Sequence, residues 1–147
     1  MRPICAVFRR TEQGALKKVS ISEAEYGKTE ARSYISDVLS KADKEMKTPG
    51  VYRLKVTPEN EGYSVTKIAD SRETIAVVFL TRDNKDSCSI RDVRLSSGAG
   101  VKHDEKQLRE YIKEGIDSCI EQIPIAQERA VEIIIPQKEE SEFGLIA

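Results

Sequence analysis

The chain has 147 residues and a mass of 16.5 kDa, with 39% hydrophobic and 33% charged residues and a formal net charge of -1. That length accommodates one domain with a real hydrophobic core, and the composition excludes disordered and collagen-like chains. The near balance of 24 Lys and Arg against 25 Asp and Glu argues against a protein built chiefly to hold nucleic acid or an anionic membrane.

Ile4 to Phe8 is a short apolar run, a candidate buried strand, and Thr11–Gly14 reads as a turn. Leu16 to Ile21 follows with Val19 and Ile21 on one face, so the two segments are expected to form a hairpin. Ser22 and Glu25 have capping-box spacing, but Gly27 delays the helix to about Thr29–Met46. Its apolar positions, among them Ala31, Ile35, Val38, Ala42 and Met46, recur every three or four residues and mark one packed face. Pro49-Gly50 ends it, and Tyr52, Leu54 and Val56 alternate with Arg53 and Lys55 as in a half-buried strand. Tyr63–Ala69 is its expected partner. Thr74–Thr81 contains the continuous run Ile75 to Leu80, the signature of a central strand covered on both faces.

Cys88–Leu95 reads as a weaker strand whose register change at Asp92 marks either a bulge or the lack of a regular strand, and Ser96–Gly100 as a loop. A second helix is expected from Asp104 to Ile123, with Leu108, Ile112, Ile116 and Ile120 on its stripe and Pro124 at its end. Gly115 inside it costs about 1 kcal/mol relative to alanine, which is reasonable only where another element packs close. Val131–Ile135 is β-rich and stops at Pro136, as an edge strand or a docking segment would. These elements define an α+β class: a single domain over 1–137, with a five- or six-stranded mainly antiparallel sheet and two long helices, and an acidic-then-apolar tail over 138–147.

Little in the sequence points to catalysis. Cys5, Cys88 and Cys119 are odd in number and widely spaced, as free thiols packed in apolar segments are, and the N-terminus lacks a long apolar stretch. A cytoplasmic protein without an integral membrane segment is the expectation. His103 is the single histidine, and no C-x-x-C pair or phosphate-loop motif is present. No catalytic residue, metal site or cofactor is therefore expected. Arg9-Arg10 and Lys17-Lys18 are placed to meet across the first hairpin as a basic patch for a partner, and Phe143, Leu145 and Ile146 to act as a short docking element. An alternative site comprises Ser97, Gly98, Gly100 and His103, where a loop before a helix start offers amides to a small ligand and His103 an acid or base. Residues 1–50 carry 10 basic and 7 acidic side chains, whereas 101–147 carry 6 and 11, so the chain is polarised.

Ile4-Cys5-Ala6-Val7-Phe8-Arg9 resembles the first strand of the longin-like, profilin-like domains of vesicle-trafficking proteins. Ala31–Lys47 stands where their first helix does, and Gly62–Ile68 followed by Ile75–Thr81 is similar to their hairpin entering the central strand. The resemblance covers residues 3–82. It implies that Ile4–Phe8 lies beside Ile75–Leu80, and that the role is that of a non-enzymatic adaptor or assembly subunit in intracellular trafficking. The expected partner is accordingly another protein or a second copy of the chain. A small-ligand-binding domain or enzyme with a pocket near His103 is the alternative, followed by a nucleic-acid-associated domain using Arg9, Arg10, Lys17 and Lys18.

Overall fold

The structure, a computed structural model, describes residues 3–22, 27–60 and 62–136. Strands β1 (Ile4–Arg10) and β2 (Leu16–Ile21) form the expected hairpin. Its turn is closed by the Ala15 N–H donating to Thr11 Oγ1 at 3.0 Å, with Gly14 at a φ of 94° that favours glycine. Helix α1 (Lys28–Ala42), a 3-10 turn over Asp43–Glu45, β3 (Gly50–Thr57) and β4 (Gly62–Ala69) follow. Together the strands make an antiparallel sheet in the order β2-β1-β3-β4.

The next strand does not join that sheet. Strands β5 (Thr74–Arg82), β6 (Cys88–Ser96) and β7 (Glu128–Ile135) form a second antiparallel sheet in the order β6-β5-β7, with helix α2 (Glu105–Cys119) between β6 and β7 in sequence. The α+β class with two long helices stands, but the seven strands among the described residues divide four and three between two sheets where one sheet of five or six was expected. Ile4–Phe8 and Ile75–Leu80 consequently lie in different sheets and do not pair side by side; they meet only face to face, across the space between the sheets.

Residue alternation explains the layering. In β1 the even positions Ile4, Ala6 and Phe8 pack with Ala31 and Ile35 of α1, while Val7 packs with Ile75 and Val77 of the other sheet. In β5 the even positions Ala76, Val78 and Leu80 pack with Ile116 of α2. The molecule is thus α1, four-stranded sheet, three-stranded sheet, α2. Each central strand is apolar on both faces because a helix covers one and a sheet the other; fully burying such a side chain contributes roughly 1.5–3 kcal/mol. Gly115 of α2 is explained by the same packing, since a Cβ there would stand 2.8 Å from Cδ1, Cγ1 and Cγ2 of Ile133 on β7.

The two halves also repeat each other, which the amino-acid pattern does not reveal. In each, a hairpin is followed by a helix that crosses over the hairpin's first strand to a third strand on its far side. Each first strand ends in an arginine only 9% exposed, Arg10 or Arg82. Arg10 donates to the carbonyl of Gly14 in its hairpin turn (2.8 Å) and to that of Met46 just past the first helix (2.7 Å). Arg82 donates to Lys85 in its turn (2.8 Å) and to Ile123 just past the second helix (3.0 Å). The same side chain therefore performs the same task twice, fixing turn and helix exit to one strand end.

Two local details differ from expectation. The register of β1 and β2 shifts opposite Val19, so Val19 packs between the sheets and Ile21 against the α1 side, on opposite faces. Helix α1 is α-helical only to Ala42, yet Met46 beyond it is fully buried. Of the two readings of Cys88–Leu95 the bulged strand holds, with Phe79 opposite Asp92 and Leu80 opposite Ile90, leaving Arg91 as the extra residue.

Candidate functional site

The space between the sheets is not filled evenly. At one end Val7, Val51, Ala69, Ile75 and Val77 make a dry cluster. Beside it Arg9, 5% exposed, ties the sheets together: its guanidinium donates to Ser96 Oγ (2.6 Å) and to the carbonyls of Ser71 (3.0 Å), Glu73 (2.7 Å) and Ser96 (2.8 Å). Burial unopposed by a carboxylate pulls the Arg9 pKa below its usual value.

Towards the other end the sheets part into a groove. A cavity of about 430 Å³ lies between β2, the start of α1, and β5, β6 and β7; a smaller one of about 210 Å³ continues it beneath β1 and β3, and the two share Ser20, Ser22 and Ala130. Their walls carry eight cationic side chains against three carboxylates. Each carboxylate already has a partner: Glu128 accepts from Arg91 (2.9 Å), Asp92 from Arg94 (2.8 Å), and Glu132 from Arg53 Nε (2.8 Å). The last pair joins β3 to β7, and its hydrogen bond raises the Arg53 pKa. Lys18, Lys28, Arg32, Lys55 and Arg129 form no ion pair with a described residue, Arg129 donating instead to the neutral Gln127 Oε1 (2.8 Å).

Cys5 stands in the smaller cavity. Burial raises its thiol pKa, more than the neighbouring Lys55 lowers it. It is held protonated, the opposite of what a nucleophilic cysteine needs.

A second feature is the outer edge of β7. The four-stranded sheet has β4 beyond β3; the three-stranded sheet has no described strand beyond β7, the position equivalent to β4 in the other half. Opposite that gap the β4 residues Ser64 and Thr66, which share a face with Lys55 and Arg53, are exposed. Ile134 of β7 is 45% exposed although its neighbours Ile133 and Ile135 are 7% and 0%. The pairing of β7 with β5 runs from Glu128 to Ile135 without a register shift, so no bulge blunts this edge.

The residues singled out by sequence fall in several places. Arg9 and Arg10 do not form a surface patch: the strand alternation sends Arg9 between the sheets and Arg10 beneath α1, and both are consumed by internal hydrogen bonds and, for Arg10, an ion pair with Asp43. Lys17 and Lys18 are exposed on β2, and only Lys18 reaches the groove. His103 Nε2 is 2.7 Å from Thr74 Oγ1, which is fully buried and donates to Ser97 Oγ at 3.1 Å. With the hydroxyl proton directed at Ser97, Nε2 is the donor to Thr74. Gly98 is buried against the backbone of Ser71 and Arg72, while Gly100 has a φ of 75° with open space beside it. His103, Ser97 and Gly98 therefore fasten the loop before α2 to the start of β5, and neither cavity of the groove reaches them. Phe143, Leu145 and Ile146 lie outside the described residues.

Among the described residues no helix is long and apolar enough to cross a membrane, and no group of His, Cys, Asp and Glu is placed to hold a metal ion. The described residues define a two-sheet α+β domain with a cationic groove and with no described strand beyond β7. Comparison of the chain with protein-family models, curated proteins and solved structures gives no match.

Proposed function

We propose that the protein is a non-enzymatic protein-interaction domain, an adaptor or assembly subunit, which receives an extended segment of a partner protein on the free edge of β7. The observation that carries this reading is the vacant strand position. The first half of the molecule has a fourth strand there, the second has none among the described residues, and Ile134, Ser64 and Thr66 are exposed around that position. A strand added beside β7 would satisfy that edge's outward backbone groups, cover Ile134 and complete a four-on-four sandwich. A polypeptide is the one ligand that supplies a ladder of backbone donors and acceptors.

The test is site-specific photocrosslinking in the source cells, with the reactive residue placed at Ile134 and, as a control, at exposed Lys113 on α2. A discrete heterologous adduct at 134 and not at 113, mapped to one segment of one protein and lost on competition by a synthetic peptide of that segment, is the expected result. Adducts only to residues 137–147 of the same chain would assign the edge to the chain's own C-terminal segment, and adducts only to a second copy would make it a self-association edge; either refutes the partner reading.

A further inference from the structure

We propose that the inter-sheet groove is the binding site of a small polyphosphorylated ligand. This inference is independent of the β7 edge. Its starting point is a charge imbalance: a chain of net charge -1 collects an excess of five positive charges on the walls of two joined cavities. The three carboxylates there are engaged by Arg91, Arg94 and Arg53. Lys18, Lys28, Arg32 and Arg129 remain around the larger chamber without a described counter-charge, and Lys55 around the smaller.

The position of Lys28 and Arg32 sharpens the inference. Both lie in the first five residues of α1, where the helix macrodipole is already positive and acidic side chains are the favourable choice. Two cations one turn apart at that end, facing Lys18 across a cleft, repel one another unless an anion joins them. The larger chamber, about 430 Å³, is the size of a small-molecule site. To offset several charges within that volume a ligand needs clustered phosphates, since one or two carboxylates carry too little charge. Ser20 and Ser22 supply hydroxyl donors where the chambers meet, and Phe79 adds an aromatic ring to the lining.

The experiment is calorimetric titration of the full chain at low ionic strength with inorganic triphosphate, ATP and inositol hexakisphosphate, and with citrate as a carboxylate of comparable charge. Saturable one-to-one binding of triphosphate is expected, weakened about tenfold or more by Lys28→Gln with Arg32→Gln and again by Lys18→Gln, but not by Lys113→Gln. All these side chains are exposed, so the thermal midpoints should stay together and report folding separately. Tighter binding of ATP than of triphosphate would assign a nucleotide; tighter binding of inositol hexakisphosphate would assign an inositol phosphate; both support the site. Absence of saturable binding, citrate binding as tightly as triphosphate, or equal loss in Lys113→Gln overturns it. So does an affinity for single-stranded oligonucleotides that exceeds triphosphate and grows with length, which would make the groove a nucleic-acid track.

Discussion

Gly115→Ala tests the packing of α2 on β7. Helix propensity alone favours alanine by about 1 kcal/mol. The added Cβ, however, would stand 2.8 Å from Cδ1, Cγ1 and Cγ2 of Ile133, against an ordinary carbon–carbon separation of about 3.5–4.0 Å. Cγ1 and Cγ2 both branch from the Ile133 Cβ, so a χ1 rotation that clears one brings the other in. Relief requires a shift between helix and strand, and overpacking of this kind costs about 1–3 kcal/mol. The balance is a net loss of roughly 1 kcal/mol, about 2–4 °C in Tm for a domain of this size. Urea unfolding followed by circular dichroism, on Gly115→Ala, Ile133→Ala and the double variant, separates the terms. In the Ile133→Ala background the clash is gone, and alanine at 115 should stabilise by about 1 kcal/mol, leaving a coupling near 2 kcal/mol between the sites. If Gly115→Ala stabilises the otherwise unaltered chain, α2 does not approach β7 at this point and the layering is wrong.

Arg9→Met should destabilise by about 3 kcal/mol or more in the same assay, because three carbonyls and a hydroxyl lose a buried donor. Arg9→Lys should fail to restore the loss, since one ammonium cannot span the groups a guanidinium fork reaches. His103→Ala should cost only about 1 kcal/mol, the loss of one hydrogen bond to Thr74, and leave triphosphate binding in the groove unchanged by calorimetry. The raised pKa of Cys5 has a definite sign: the native thiol resists ionisation, so its contribution is fully present below the ordinary value of 9.0 and is lost as pH rises above it. Native-state alkylation of Cys5 at pH 9 should therefore be slower than in denaturant, and a rate equal to the denatured one would contradict its burial between the sheets.

The elements were largely legible in the sequence, and the reason is periodicity. Alternation marked β3, the three-four stripes marked both helices, and the run from Ile75 to Leu80 marked a strand covered twice. What covers it was not legible, because an apolar face looks the same whether a helix or a second sheet lies on it. That ambiguity is why two sheets read as one. Arg9-Arg10 misled for a related reason: a pair of arginines at a strand end reads as solvated, while the alternation of the strand sends them to opposite buried faces where backbone carbonyls wait. The groove was invisible because its cations come from β2, α1, β3, β6 and β7, which only the fold brings together. One signal was available, the spacing of Lys28 and Arg32 at a helix start where acidic residues are the usual choice. The repeated architecture left a similarly thin trace, an arginine closing the first strand of each half.

The most direct measurement is residue-resolved amide hydrogen exchange on β7 in the full chain. The amides of Glu128–Ile135 bonded to β5 should be protected, and the alternate amides, which point to the vacant position, should exchange at rates near those of open chain. Protection of every amide along β7 would mean that the edge is already filled, and would contradict the claim that it awaits a partner strand.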